Sequence, residues 1–299
     1  MLSEKSKINL FNIINNRSNI VIIDTFNYLF KYAYVYGTDT DKYIHSTASL
    51  SKRIKKIMHN SSIIYAIDGE SKIRKEINHK YKANRNKPPF TKSESIIELV
   101  NKLKNINNVY VSQDEKYEAD DTIYSIIEII KYLCNKHKIK KKVYILSTDK
   151  DMYQMIGKFN YVNVKVIKKI STPDSYDNIN KTWKDDSNII NTEKAMKSFN
   201  NVKPCNLVKY RALVGDESDN LNGYYRINRK SASDIAENCI YDKDTERLIL
   251  EENKNLSNTK TYDILNMINN NFNLFRDNYR IMSLYFFYPE VLKPEEFSL

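Results

Sequence analysis

Four short runs rich in β-branched residues, NIVIID (19–24), SIIYAID (62–68), NVYVS (108–112) and KKVYILSTD (141–149), are separated by stretches whose apolar residues recur at helical spacing. Runs of this length bounded by polar turns read as strands buried on both faces, and buried strands alternating with helices pack into a mainly parallel sheet. Helical patterns fall at about 45–59, 93–104 and 118–136, the last carrying Ile123, Ile126, Ile127 and Ile130 on one face. The expected first half is therefore an α/β layer with helices flanking the sheet, and YVNVKVI (161–167) adds a further strand. With 299 residues, 41% of them hydrophobic, the chain has ample material for a core.

After about residue 190 the strand signal nearly disappears, and helical patterns cover 192–199, 204–213, 229–239 and 258–275. The polar stretch STPDSYDNINKTWKDDSN (171–188) marks the change. Two parts are expected, 1–190 and 191–299. NKPPFTKSE (86–94) is a loop, because its paired prolines interrupt any regular element.

Acidic residues fall at the carboxyl end of nearly every predicted strand. Asp24 ends the first, Asp68 the second, Asp149 and Asp151 the fourth, while Glu118, Asp120 and Asp121 open the helix after the third. In a parallel sheet these ends share one edge, where ligands bind. The segment VGDESDN (214–220) adds Asp216 and Asp219, three residues apart and expected to point the same way. Taken singly, an aspartate after a strand is a turn residue or helix cap, and Asp120 and Asp121 complement a helix dipole. Four strands delivering acid to one edge argue for more. Carboxylates crowded together stay ionised only beside positive charge. Oxygen donors without His or Cys select Mg²⁺, with Mn²⁺ as its substitute, and two such ions suit phosphodiester hydrolysis.

The charge balance agrees with a polyanionic partner: 48 Lys and Arg against 37 Asp and Glu give a net charge of +11. Cys134, Cys205 and Cys239 lack metal-ligand or disulfide spacing and are expected as buried apolar residues. No run approaches the roughly 20 apolar residues of a membrane span, and the polar N-terminus is unlike a signal peptide. The expected location is the cytoplasm, that of the host for a phage-encoded chain.

In order and spacing, YKANR (81–85), YEADD (117–121), STDKD (147–151) and LVGDESDN (213–220) resemble the 5′ nuclease family, behind a correctly placed Asp24 and Asp68. That family comprises the exonuclease domain of bacterial DNA polymerase I, flap endonucleases and phage ribonuclease H and 5′ exonuclease enzymes. The resemblance runs from about Asn19 to Ala232. It implies a PIN/5′ nuclease-like fold with a helical arch around 70–105 and a helix-three-turn-helix module at about 204–240. Asp24, Asp68, Glu118 and Asp120 resemble one metal site, Asp149, Asp151 and Asp219 a second, and Asp121 and Asp216 further acids. Lys82 and Arg85, one helical turn apart, resemble the arch pair that reaches the scissile phosphate. Arg74, Lys75, Lys80 and Tyr81 add salt-dependent electrostatics, and Phe30 resembles an aromatic that stacks on a base, with a core position as its alternative.

One departure stands out. The family's glycine-rich turn corresponds here to GYYRINRKSA (223–232), which keeps Gly223 and Lys230 but has Arg226 and Asn228 at two later glycine positions. Arginine offers neither close backbone approach nor ready positive φ. Duplex contact is thus expected from Arg226, Arg229 and Lys230 side chains, and the family's potassium site is in doubt. The leading expectation is a monomeric Mg²⁺-dependent nuclease acting on DNA with a 5′ flap, nick or end, and on RNA in RNA–DNA hybrids. A non-catalytic nucleic-acid-binding protein on the same scaffold would have eroded acids. A receiver-like phosphotransfer domain would leave the basic arch and the helical half unexplained.

Overall fold

Strands β1 (Asn19–Asp24) and β2 (Ser61–Ile67) are buried at every residue, as runs without polar alternation require when helices cover both faces of a sheet. The computed structural model describes residues 19–285 apart from 38, 85–92, 106–108, 115, 171–175, 178–181 and 226. Its sheet has the order β3-β2-β1-β4-β6-β5, with β3 Val109–Gln113, β4 Lys141–Leu146, β5 Gly157–Phe159 and β6 Val162–Ile167. Strands β3, β2, β1, β4 and β6 run parallel, whereas β5 and the short β7 (Ile189–Ile190) pair antiparallel with β6. The chain lays β2 and β3 on one side of β1, then crosses to place β4 on the other. Connections leaving a sheet in opposite directions at such a point open a crevice beyond the carboxyl ends of the strands.

Alternation along the strands divides the core. Ile20, Ile22 and Ile64 pack with Ile123, Ile126, Ile127 and Ile130 of α6 (Ala119–His137). Val21, Ile23, Ile63 and Tyr65 face the opposite layer, with Leu50, Ile54 and Ile57 of α3 (Thr40–Ile57) and Leu99 and Leu103 of α5 (Ser93–Lys104). Each fully buried isoleucine contributes about 1.5–3 kcal/mol. Shorter helices α1 (Thr25–Phe30), α2 (Ala33–Tyr36) and α4 (Lys72–Ile77) sit at the carboxyl edge after β1 and β2.

The second half carries α7 (Thr192–Ser198), α8 (Leu207–Val214), α9 (Arg229–Asn238), α10 (Thr259–Asn270) and α11 (Phe272–Met282). Leu213, Ile235 and Phe275 join the core cluster that contains Ile20 and Ile22, so one apolar core runs from sheet to helices. Two expectations are corrected here. The helical run expected over 258–275 is broken at Asn271, whose φ of −132° and ψ of 55° end one helix and begin another. A hairpin pairing Cys239–Asp242 with Arg247–Leu250 lies where only helices were expected. Of the cysteines, Cys134 and Cys239 are buried, but Cys205 is exposed beside the 3₁₀ turn Pro204–Asn206. No helix among the described residues is long and apolar enough to cross a membrane.

Candidate functional site

Strand register brings the acids level. Asp24 is the last residue of β1 and pairs across to Ala66, so Asp68 stands two residues further along, just past the end of β2; Ile23 pairs with Leu146, so Ser147 follows alongside Asp24. Ser147 Oγ donates to Asp24 Oδ2 at 2.9 Å, and Asp24 Oδ1 accepts the Asn27 N–H as the cap of α1. Asp68 Oδ1 accepts the Ala119 N–H at 2.8 Å, joining the end of β2 to the start of α6. Asp149 caps the 3₁₀ turn Lys150–Met155 by accepting the Asp151 N–H at 2.9 Å. Carboxylate oxygens of Asp120, Asp149 and Asp151 lie within 4.8 Å of one another. The capping role and the cluster therefore coexist: short polar side chains satisfy helix N-termini that all begin at one sheet edge.

Electrostatics divide these acids into two groups. Burial, then Asp68 and Asp149, pushes the Asp24 carboxyl up to about 8. Burial raises Asp68 to about 6, with Glu118 adding and the Ala119 N–H opposing, and burial together with Asp149 and Asp24 holds Asp120 well above the carboxylate range. Among the described residues, Asp24, Asp68, Asp120 and Asp149 form no ion pair. Glu118 behaves oppositely. Burial alone would raise it, but Lys82 at 2.7 Å and Arg74 at 3.1 Å hold it down at about 2. Ser71 Oγ and Tyr81 Oη also donate to it.

Two of the expected acids have cationic partners within the chain. Asp121 is fully enclosed, and both its oxygens are occupied: Arg74 forks onto them at 2.5 and 2.7 Å, while the Tyr285 and Glu118 N–H groups add one bond each. Asp216 accepts from Ser218 through one oxygen and pairs with Arg211 through the other, which keeps its carboxyl below the usual range. Asp219 is buried and lines the cavity that also contains Glu118, Asp120 and Asp151. Arg211 reaches Asp151 as well, so this buried guanidinium bridges two acids. Its importance was not read from the sequence; the signal was a basic residue in α8, five positions before Asp216.

The basic segment also differs from expectation. Helix α4 ends at Ile77, residues 79–84 form turns, and Lys82 has a left-handed φ of 53°, so Lys82 stands in a turn and not on a helix. Arg85 itself lies outside the described residues, as does Arg226. Lys82 faces the acids through Glu118. Lys80 is exposed, but Tyr81 is buried among Leu221, Ile281 and Met282, which removes its ring from any nucleic-acid surface. Phe30 is 49% exposed on α1, which excludes the core alternative for it.

Arg229 and Lys230 are exposed at the start of α9, where Asn228 is an extended N-cap accepting the Ser231 N–H at 2.8 Å instead of a left-handed residue. The turn before it is fixed by backbone approach. Gly215 has φ 78°, and a Cβ there would lie 2.3 Å from the Gly223 nitrogen; one on Gly223 would lie 2.1 Å from the Val214 carbonyl oxygen. Glycine is required at both.

Clustered carboxylate oxygens fit a hard divalent metal, and those of Asp120, Asp149 and Asp151 are close enough together to hold one. Comparisons with known proteins point the same way. The family model for the 5′-3′ exonuclease, N-terminal resolvase-like domain matches residues 19–193. A 5′-3′ exonuclease of Mycoplasmopsis pulmonis is 28% identical over 187 residues, 62% of this chain and 54% of that protein. The chain thus spans about half the length of this relative. Among solved structures, phage T5 5′-exonuclease with divalent zinc ions bound superposes with a TM-score of 0.55 at 19% identity over 89% of each chain. The phage T5 flap endonuclease in a pseudo-enzyme-product complex with DNA and metal ions gives 0.52 at 17% identity, again over 89% of each. These likenesses establish a shared fold.

Proposed function

The chain belongs to the 5′-3′ exonuclease family through its N-terminal, resolvase-like domain, and from that membership we propose that it is a divalent-metal-dependent 5′ nuclease. It hydrolyses phosphodiester bonds in DNA near 5′ ends, nicks or flap junctions, and in RNA of RNA–DNA hybrids, leaving 5′ phosphates. One observation carries the reading: carboxylate oxygens of Asp120, Asp149 and Asp151 lie within 4.8 Å of one another at the carboxyl edge of the sheet, beside Asp24 and Asp68, and the carboxyls of Asp24, Asp68 and Asp120 are pushed above their usual range. Mg²⁺ is the natural occupant of such an oxygen site, in a two-ion arrangement completed by Glu118, Asp151 and Asp219, with Mn²⁺ as its substitute. When bound, the metal supplies Lewis acidity, making water a stronger acid and neutralising charge at phosphorus.

The chain's own groups do the rest. Lys82, poised at 2.7 Å from Glu118, provides a compact cation for the scissile phosphate, with Arg85 as its partner. Exposed Phe30 offers a face for base stacking, and Lys80, Arg226, Arg229 and Lys230 hold backbone phosphates by side chain, which makes binding salt-dependent. The helical part from 191 onward serves as the duplex-binding part.

A 5′-labelled flap, a nicked duplex and an RNA-primed duplex, each titrated with Mg²⁺, test this. Cleavage is expected to require metal and to disappear in Asp149→Asn, while flap binding persists. Asparagine still accepts the Asp151 N–H, so the fold survives the change. Full activity of Asp149→Asn would reject the site.

A further inference from the structure

The last described residues close the wall of the acid cavity, where Ile281, Met282 and Leu284 lie beside Glu118, Asp120 and Asp151. Nothing in the sequence separates this stretch from an ordinary helix end. Its hydrogen bonds do. The Arg74 guanidinium makes four hydrogen bonds, the fork onto Asp121 and two to backbone carbonyls, Nε to Ile281 at 2.7 Å and Nη2 to Ser283 at 3.2 Å, and its Nη1 forms an ion pair with Glu118 at 3.1 Å. The strap answers from its other side. The Tyr285 N–H donates to Asp121 Oδ1 at 2.9 Å, and the Tyr285 ring lies 5.2 Å from the guanidinium. Gln154, three residues after Asp151, donates to the Met282 carbonyl at 3.2 Å.

Resting on the metal-site reading above, we infer that Arg74 is a positioning residue, clamped by the 281–285 strap, which fixes the Glu118 carboxylate in the orientation that divalent-metal binding needs. A planar guanidinium held at both edges has no rotational freedom left, so the oxygen it contacts is held as well. Asp121 anchors the clamp instead of binding metal. The strap thus ties α11, far along the chain, to the motif that opens α6, giving the C-terminal helices a part in the chemistry. Partners one step outside a metal's ligands commonly change its affinity by about 10–100-fold when removed.

The test uses the full-length protein and Mn²⁺ binding measured by electron paramagnetic resonance, well below the melting temperature. Arg74→Lys keeps the charge and loses the fork and both carbonyl bonds, so weaker binding reads geometry instead of Coulomb attraction; the Mn²⁺ Kd is expected to rise about 10-fold. Tyr285→Pro deletes the N–H that reaches Asp121, whereas Tyr285→Ala deletes the ring and keeps the N–H. Tyr285→Pro should weaken binding, Tyr285→Ala much less, and Tyr285→Pro should add little in an Arg74→Lys background. Melting of the metal-free variants identifies any that fail to fold, in which case the other position decides. Folded Arg74→Lys and Tyr285→Pro variants that bind Mn²⁺ like the wild type overturn the clamp, as do effects that simply add. A wild-type chain that binds no Mn²⁺ overturns the metal reading itself.

Discussion

Replacing Asp68 by asparagine should make the metal-free protein more stable at pH 8, the reverse of the usual outcome for a substitution at a buried polar site. Asp68 Oδ1 accepts the Ala119 N–H, and an asparagine oxygen can do the same. What the substitution removes is charge. Burial raises the Asp68 carboxyl from 3.8 to about 6, worth about 3 kcal/mol at most, with solvent at the partly exposed group reducing it. The sign follows from proton binding. A carboxyl with a higher pKa folded than unfolded holds its proton more tightly in the native state, so stability falls as pH rises from about 4 to about 6 and stays reduced above that. Asp24, raised to about 8, extends the decline towards pH 8. Thermal unfolding by circular dichroism in excess EDTA should show Asp68→Asn melting about 5 °C above the wild type at pH 8, the two converging near pH 4. Mg²⁺ should raise the wild type far more than the variant. A variant that melts lower at pH 8, or gains as much at pH 4, would refute the idea that uncompensated charge burdens this crevice.

Arg211→Met strands Asp151 and Asp216 without their shared cation, and urea titration of the metal-free protein should show a loss of about 3 kcal/mol, part of it recovered on adding Mg²⁺ because Asp151 then gains a new neutralising charge. Arg229→Ala and Lys230→Ala, at the exposed start of α9, should weaken duplex binding across all sequences and flatten the dependence of log K on log salt by about one unit each, while the single-turnover cleavage rate at saturation stays unchanged. An unaltered salt slope would remove both residues from the phosphate path.

Much of the α/β layer is written locally. NIVIID has polar residues only at its two ends, without the alternation that a solvent-facing strand would need, and the register that sets Asp24 level with Ala66 and beside Ser147 follows from parallel pairing of such runs. What sequence spacing could not decide was which acids already have partners. Arg74 lies 47 residues from Asp121, and the carbonyls that clamp it come more than 200 residues later, so no local pattern betrays the pair. The turn at Lys82 escaped for another reason: a left-handed lysine is held there by its bond to Glu118 and by its N–H to the Asp219 carbonyl, tertiary contacts that override helical spacing. The late hairpin carried a weak signal in CIYD and RLIL, where Leu248 faces in and Ile249 out, but four-residue strands lie within reach of either assignment.

The partition of charge explains why the fold tolerates so acidic an edge. Nine carboxylates meet there, Asp24, Asp68, Glu118, Asp120, Asp121, Asp149, Asp151, Asp216 and Asp219, and among the described residues three cations face them: Arg74, Lys82 and Arg211. The arginines neutralise the flanks, where Asp121 and Asp216 need no further partner, and hold those flanks rigid with forked or bridging geometry. The centre is left negative. Raised carboxyls at Asp24, Asp68 and Asp120 are the consequence when no external cation is bound, and each divalent ion bound would release those protons. Metal uptake should therefore acidify a weakly buffered solution at pH 7, and more so than in Asp24→Asn. A titration in which Mg²⁺ binds without releasing protons would mean that the central acids are already ionised, and that some cation other than the metal balances them.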